Sequence, residues 1–330
     1  MSVASHPIHA HGNMPRVTFA QLRALQAVAR TGNVTRAADE LGTTQPAVSH
    51  AVRNLERELD VALLIRRSTG VMLTPAGRDV SDRAGQILTQ LEGLHQAVDA
   101  ARGQICGSLR LGVIPSINAS LLPRILRAFH ASYRSVRLTV LEGSDHEVVE
   151  WLQTGAVDVA TITTPADNLA TTPLVSDQMM AILPADHPLS ARTALAVEDI
   201  AQEPFIMSAS GCEPLIADLA RRAKVRLRSH YHVRDSNSIL GMVAERLGVT
   251  IMPELALRTD AVGVRAIPLT PREHRTVLLA VPADAPALPT ATAFVELAAN
   301  MTTGEPQALE GPKPPLRDLR PLTREGTSTA

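Results

Sequence analysis

Cysteine is scarce in this chain of 330 residues, and long apolar runs are missing. The two cysteines, Cys106 and Cys212, lie far apart in sequence, which excludes a disulfide-stapled scaffold and favours a reducing compartment. No apolar run approaches the length that spans a bilayer, and no charged-then-apolar signal segment opens the chain. We therefore expect a cytoplasmic protein without a membrane partner.

The common motifs of enzymes are also missing from the sequence. It contains no glycine-rich phosphate loop, no HExxH, no Gly-x-Ser-x-Gly and no Cys/His cluster with metal-ligand spacing. His232 and Asp235 lie close together, but polar residues at a strand end are usually solvated. The histidines of residues 1–16 have no acidic or cysteine partner nearby, which favours a disordered tail over a metal site. We expect no enzyme activity, no metal and no cofactor.

Charge is divided unevenly along the chain. Residues 1–80 carry nine arginines against six acidic residues, whereas the remainder carries 23 basic against 27 acidic residues. Only two lysines occur, so contacts with phosphate would come from arginine, backbone N–H and hydroxyl groups. A length of 330 residues predicts two or three domains, of which the first is modestly basic.

Residues 34–53 have the pattern of a helix-turn-helix. Asn33 is a predicted N-cap, and apolar residues then repeat at helical spacing. Gly42 supplies a left-handed residue that ends the first helix, and Thr44 can cap the second. Pro46 falls in the first turn of the second helix, where a missing N–H costs nothing.

The second helix predicts one buried and one outward face. Its outward residues combine short polar groups that can reach base edges with cations for phosphate, as a recognition helix requires. Gln45, Ser49 and Arg53 are predicted to read bases, while His50 and the arginines of the following hairpin hold the backbone. The predicted DNA contacts are Arg36, Thr44, Gln45, Pro46, Ser49, His50, Arg53, Arg66 and Arg67.

A first amphipathic helix precedes this motif, and a hairpin with Arg66-Arg67 follows it. Together they predict a winged helix-turn-helix over residues 17–74. At this point the chain resembles the LysR-type transcriptional regulators. The matching residues are Phe19, Leu22, Thr31-Gly32, Thr35, Ala37-Ala38, Leu41, Gln45-Pro46-Ala47, Ser49, Leu55-Glu56, Leu59, Leu63, Arg66 and Leu73-Thr74-Pro75-Ala76-Gly77.

Residues 75–102 read as one long helix. Its apolar residues alternate at gaps of four and three, the spacing of a coiled-coil seam. A helix lying on its own domain is the alternative, but pairing two winged modules would double the DNA footprint. The resemblance implies an antiparallel dimerisation helix here. The predicted seam is Val80, Ala84, Ile87, Leu91, Leu94 and Val98.

Residues 103–107 form a predicted hinge, after which strands and helices alternate. A βαβαβ order over residues 109–164 implies a parallel sheet with crossovers, and a second set of strands spans residues 178–282. The fold class is therefore α/β. Residues 108–302 are predicted to form two lobes that resemble the periplasmic-binding-protein fold. The LysR resemblance implies the same fold for an effector domain. Residues 303–330 have no periodicity and are predicted to be disordered.

Small hydroxyls and helix N-termini are predicted to converge between the lobes, an arrangement that suits an anionic ligand. By resemblance to the family, Ser116, Thr163, Thr164, Ser208 and Asn237 would line the effector pocket. Helix capping is an equal alternative for each hydroxyl taken singly. No Arg or Lys is expected at these strand ends, so backbone dipoles would meet the ligand's charge. The complete predicted effector set is Ser116, Ile117, Thr163, Thr164, Ser208, Ser210, Cys212 and Asn237.

Cys212 leaves an alternative open. In the peroxide-sensing branch of the family, a reactive cysteine occupies this place, and a helix N-terminus with Arg221-Arg222 nearby would lower a thiol pKa. The resolving cysteine of that branch would fall near Arg221 and is missing. A small residue lining the effector cleft is the favoured interpretation.

The sequence thus predicts a DNA-binding transcriptional regulator controlled by an anionic metabolite. Its expected partners are double-stranded promoter DNA, the effector, further copies of itself in a homodimer or homotetramer, and RNA polymerase. A redox sensor is the first alternative. A ligand-binding or carrier protein is the second, and it leaves residues 17–77 unexplained.

Overall fold

A computed structural model describes residues 16–67, 70–257, 262–284 and 286–303. The predicted disordered tails lie almost wholly outside these ranges. The N-terminal domain contains α1 (Phe19–Thr31), α2 (Val34–Glu40), α3 (Gln45–Leu59) and an antiparallel hairpin of β1 (Leu64–Arg67) and β2 (Gly70–Leu73). The predicted winged helix-turn-helix is therefore present.

Local capping sets the helix boundaries of this domain. The Asn33 side chain accepts hydrogen bonds from the N–H groups of Thr35 and Arg36, and the Thr44 hydroxyl accepts one from Ala47 N–H. Gly42 has φ of +62°, a left-handed conformation that favours glycine and separates α2 from α3. Both predicted caps are confirmed.

The long helix α4 (Pro75–Ala101) follows the hairpin directly. Its N-terminal part packs on α1, where Ala84 is only 1% exposed and belongs to the core of the DNA-binding domain. Val80 packs against the same core. The prediction that Ala84 faces a second chain is therefore wrong, because the first turns of α4 bury their apolar side against α1.

The first lobe contains β3 (Gly107–Val113), α5 (Pro115–Ala119), α6 (Leu122–Ser132), β4 (Val136–Glu142), α7 (Asp145–Gln153) and β5 (Val159–Ile162). β3 pairs in parallel with both β4 and β5, as the βαβαβ order predicts. The first half of β6 (Leu169–Pro184), β11 (His274–Pro282) and α10 (Pro289–Thr303) complete it. Here β11 runs antiparallel to β5 and β6.

The second lobe is built around the second half of β6. The strands β9 (Thr250–Pro253) and β10 (Val264–Pro268) pair antiparallel with it. Beside them lie α8 (Glu213–Arg222), α9 (Ser236–Ala244) and a parallel pair of β7 (Pro204–Ser208) and β8 (Arg228–Val233). The chain passes between the lobes within β6 and again just before β11.

The mixed sheet departs from the sequence prediction at β6. The second set of strands was predicted to begin at residue 178, whereas β6 already begins at Leu169 and extends over 16 residues. Its first half contains Pro173 and exposed polar residues, which weaken a strand signal. Pairing with β11, about 100 residues later in the chain, holds this half in the sheet.

Candidate functional site

The exposed face of the helix-turn-helix carries most of the predicted DNA contacts. Gln45, Pro46, His50 and Arg53 are exposed on α3, and the capping Thr44 precedes them. Arg36 on α2 and Arg67 on the hairpin are exposed as well. The backbone of Arg66 pairs with Val71 in the hairpin, but its side chain lies outside the described part of the structure.

Ser49 does not belong to this face. Its side chain is 7% exposed and lies beside Val28, Val52 and Leu64. Ser49 stands three residues before the buried Val52, and residues three apart share one side of a helix. The prediction that Ser49 points outward is therefore wrong. Its carbonyl oxygen instead accepts a hydrogen bond from Arg53 Nε at 3.2 Å, which orients that arginine along the helix.

The distal part of α4 exposes an apolar seam. Ile87, Leu94 and Val98 are 46%, 59% and 46% exposed, and Leu91 is half-buried. Large apolar side chains in a row along one helix, outside any core of the described chain, are typical of an interaction surface. These four residues are the part of the predicted seam that is available to a second chain.

The interlobe cleft brings together five of the eight predicted effector residues. Ser116 lies in the first turn of α5, Thr163 just after β5, Ser208 at the end of β7, and Ser210 and Cys212 before α8. The remaining space is about 20 Å³, which is room for about one water molecule. The lobes are therefore closed on one another in this structure.

Three predicted effector residues lie elsewhere. Ile117 is fully buried in the core of the first lobe, because it lies on the side of α5 that packs on the sheet. Thr164 and Asn237 are exposed and do not line the cleft. The neighbouring Ser236 lines it in place of Asn237, since it begins α9 and faces the other lobe.

A buried arginine occupies the centre of the cleft, contrary to the expectation that none would lie there. Arg275, at the start of β11, is the cross-strand neighbour of Asp177 on β6. Its Nε and Nη2 donate to Asp177 Oδ2 at 3.0 and 2.7 Å. Nη2 also donates to Ser116 Oγ at 2.5 Å, and Nη1 lies 3.6 Å from Cys212 Sγ. Arg275 thus contacts groups from both lobes.

Sequence reasoning missed this pair because it is non-local. The two residues are 98 positions apart, and Asp177 lies just before residue 178, where the second set of strands was predicted to begin. The available signal was Arg275 near the start of the strand HRTVLLAVP, whose later residues are apolar. A charged residue at a strand position with buried neighbours is rare unless it is paired, and that pattern could have marked Arg275.

A second carboxylate, Asp145, lies at the first turn of α7. It accepts hydrogen bonds from the N–H of Thr163 at 2.9 Å and from the Thr163 hydroxyl. Burial raises the pKa of the Asp145 carboxyl above its ordinary value, although the Thr163 hydrogen bonds and the Arg275 charge oppose that shift. The cleft therefore holds two carboxyl groups and one guanidinium.

The environment of Cys212 does not favour a thiolate. Burial raises the pKa of its thiol, and the charges of Asp145, Glu213 and Asp177 act in the same direction, against Arg275 alone. The expected help from Arg221-Arg222 does not occur, because both are exposed on α8 and pair with Asp218. At neutral pH Cys212 is consequently a protonated thiol.

The closed lobes are also joined at the mouth of the cleft. Arg234 of the second lobe donates from Nη2 to Glu147 Oε2 of the first lobe at 2.5 Å. This bond, together with the N–H and hydroxyl of Ser144, lowers the pKa of Glu147 to about 2. A side chain at Gly211 would bring its Cβ within 2.9 Å of Asp145 N, so glycine permits the close approach of the lobes.

Neither a metal site nor a membrane-spanning helix occurs in the part of the chain that the structure describes. No group of three or more His, Cys, Asp or Glu residues could hold a metal ion. No helix there is long and apolar enough to cross a bilayer.

Comparison with known proteins agrees with both halves of the fold. Residues 19–78 match the bacterial regulatory helix-turn-helix proteins of the lysR family, and residues 102–302 match the LysR substrate binding domain. The chain is 32% identical over 292 residues to the HTH-type transcriptional regulator YvbU of Bacillus subtilis, covering 88% of this chain and 100% of that protein.

Two further relatives extend the comparison. The hydrogen peroxide-inducible genes activator of Haemophilus influenzae is 29% identical, over 78% of this chain and 88% of its own length. A full-length OxyR variant from Pseudomonas aeruginosa superposes with a TM-score of 0.68 at 24% identity, covering 87% of this chain and 98% of that one. The chain therefore belongs to the LysR family and is a DNA-binding transcriptional regulator with an effector-binding domain.

Proposed function

We propose that a small acidic effector controls this regulator by binding in the interlobe cleft, with Arg275 as its counter-charge. The observation that carries the proposal is a buried guanidinium surrounded by hydroxyls. An arginine fork binds a carboxylate through two parallel hydrogen bonds, and burial strengthens each of them. Ser116, Thr163 and Ser208 supply further polar contacts.

Effector binding requires the lobes to separate. A space of about 20 Å³ excludes any metabolite, and Arg275 already pairs with Asp177. The carboxylate oxygens of an incoming acid would replace Ser116 as hydrogen-bond acceptors of Arg275. Asp177 alone balances the charge of Arg275, so an ionised Asp145 already leaves one negative charge in excess. A further negative charge therefore favours protonation of Asp145, the carboxyl group whose pKa is raised by burial. We expect the acid to bind together with a proton.

On the DNA side, we assign base reading to Gln45 and Arg53 and backbone contacts to Arg36, His50 and Arg67. Arg66 keeps its predicted phosphate contact, whereas the buried Ser49 is removed from the readers. Two chains paired along Ile87, Leu91, Leu94 and Val98 would present two such faces to one interrupted dyad. Pairing of effector domains would then give a homotetramer. RNA polymerase is a further proposed partner, and the cytoplasm is the proposed location of the protein.

The effector proposal is tested by thermal unfolding of the full-length chain with a panel of small carboxylic acids and their matched amides. An acid that raises the unfolding temperature more than its amide, and loses this effect in Arg275→Gln, supports it. Arg192→Gln is the control, since Arg192 forms an exposed ion pair with Asp199. Equal stabilisation by acids and amides across the panel contradicts the assignment. Selection of bound genomic fragments then supplies the promoter.

Peroxide sensing through Cys212 is a second candidate. The observations that favour it are the 3.6 Å separation of Arg275 Nη1 from the sulfur and a space that fits a water-sized molecule. The thiol would be oxidised by peroxide to a sulfenic acid with release of water. Footprinting on the selected promoter with and without peroxide separates the candidates. A peroxide-dependent footprint that disappears in Cys212→Ser selects the redox function over the acid.

A further inference from the structure

A second cavity, of about 620 Å³, lies between the long helix α4 and the first lobe. Ligand pockets in proteins commonly have volumes of about 300–1,000 Å³. The interlobe cleft leaves only about 20 Å³ in the same structure. The α4–lobe cavity is therefore already of metabolite size without any movement of the lobes.

The walls of this cavity are held in place by hydrogen bonds between α4 and the lobe. Gln86 Nε2 donates to the carbonyl oxygen of Gln153 at 2.8 Å. Arg110 donates from Nη2 to the Thr89 hydroxyl at 2.9 Å and from Nη1 to Gly155 O at 2.8 Å. One side chain thus joins the helix and the lobe. Any molecule in the cavity touches both.

A glycine makes this junction close. A Cβ at Gly85 would lie 2.5 Å from the carbonyl oxygen of Thr154, so no larger residue fits without movement of the backbone. Glycine inside a helix lowers its stability relative to alanine. The contact with the first lobe explains why a long helix tolerates glycine at this point.

The lining of the cavity defines the chemistry of its ligand. One part of the lining is apolar: Leu152, Val157, Leu169, Val281, Leu288 and Ala291. The charged lining residues are Asp158 and Asp284, and no Lys or Arg is among the described lining residues. Asp158 is already paired with Arg110 at 2.5 Å, whereas Asp284 presents an exposed carboxylate at the rim. This charge distribution disfavours acids.

We propose that the cavity between α4 and the first lobe is a second small-molecule site, for an amine with an apolar body. The apolar body of the ligand packs on the apolar lining residues, and its ammonium group faces Asp284. Because the ligand contacts both α4 and the lobe, its binding favours their docked arrangement. The effector domain and the DNA-binding domain are thereby coupled by a site separate from the interlobe cleft.

Three matched indoles test the chemistry on the full-length chain by titration calorimetry: tryptamine, the neutral tryptophol and indole-3-acetate. Tryptamine is expected to bind about two- to fivefold more tightly than tryptophol, the range for an exposed ion pair, and indole-3-acetate more weakly than both. Asp284→Asn should remove the difference between tryptamine and tryptophol. Asp167→Asn, an exposed carboxylate outside the cavity lining, should leave it unchanged.

Gln90→Trp tests the location, because Gln90 lines the cavity from α4 and an indole side chain there would occupy part of the space that a ligand needs. Loss of tryptamine binding in this variant, with binding retained in Ala97→Trp two turns later on the exposed helix, supports the site. Tightest binding of indole-3-acetate, or unchanged binding in Gln90→Trp, overturns it. A shift of oligomeric state in Gln90→Trp alone also overturns it, since the cavity is then an interface between chains.

Discussion

Replacing Asp177 by asparagine should destabilise the effector domain more than any surface change of charge. Asp177 is 2% exposed and is bonded by Arg275 Nε and Nη2, while its other oxygen accepts from Leu255 N–H at 3.0 Å. The asparagine variant leaves the Arg275 guanidinium buried without its closest counter-charge. Removing one partner of such a pair costs about 3–5 kcal/mol.

The matching shift in unfolding temperature is about 6–20 °C, at roughly 2–4 °C per kcal/mol for a domain of this size. Circular dichroism melts of the full-length protein measure it. Asp199→Asn is the matched control, because its partner Arg192 is half-exposed and such pairs contribute at most about 1 kcal/mol. The double variant Asp177→Leu/Arg275→Met should recover most of the loss. An Asp177→Asn melt no lower than that of Asp199→Asn refutes the buried pair.

Three further outcomes are expected. Leu94→Glu places a charge in the exposed seam of α4, so sedimentation should show dissociated chains and weaker operator binding; a fully assembled variant would contradict the seam. Arg53→Ala should reduce the preference of the protein for its operator over other DNA sequences. Arg67→Ala should lower the affinity for all DNA sequences evenly and reduce the slope of log affinity against log salt concentration by about one. Binding assays at several salt concentrations measure both effects. Glu147→Gln should lower stability near neutral pH. The Glu147 pKa is lowered to about 2, so its pairing with Arg234 stabilises the fold above the ordinary carboxyl pKa and is lost as pH falls toward 2. Unfolding curves of the variant and the parent should therefore converge near pH 2.

Features set by local sequence were predictable. The caps Asn33 and Thr44, the break at Gly42 and the hairpin after α3 each depend on residues within a few positions of one another. The same is true of the parallel β3, β4 and β5, whose apolar runs and intervening helices follow in order. The LysR resemblance and the fold class were correct for this reason.

Features that depend on distant residues were not predictable. Ser49 has the helical spacing of the buried Val52, but its polar side chain was assigned to the outward face. Ala84 is small, and its spacing fits a seam between chains and a core within one chain equally well. The pair of Arg275 and Asp177 requires the register of β11 against β6, which no short sequence window contains. The cleft was consequently predicted from its hydroxyls but without the charges at its centre.

The arginine of the cleft lies where the chain passes from one lobe to the other. If the lobes rotate about this crossing, the atoms nearest to it move least. Arg275 and Asp177 would then stay nearly fixed while Ser116 and Cys212 swing past them. The charged pair would then be a fixed point, relative to which the two lobes open and close. A molecule held by Arg275 would consequently keep its place on the charged pair, while its contacts with Ser116 and Cys212 change with the angle between the lobes.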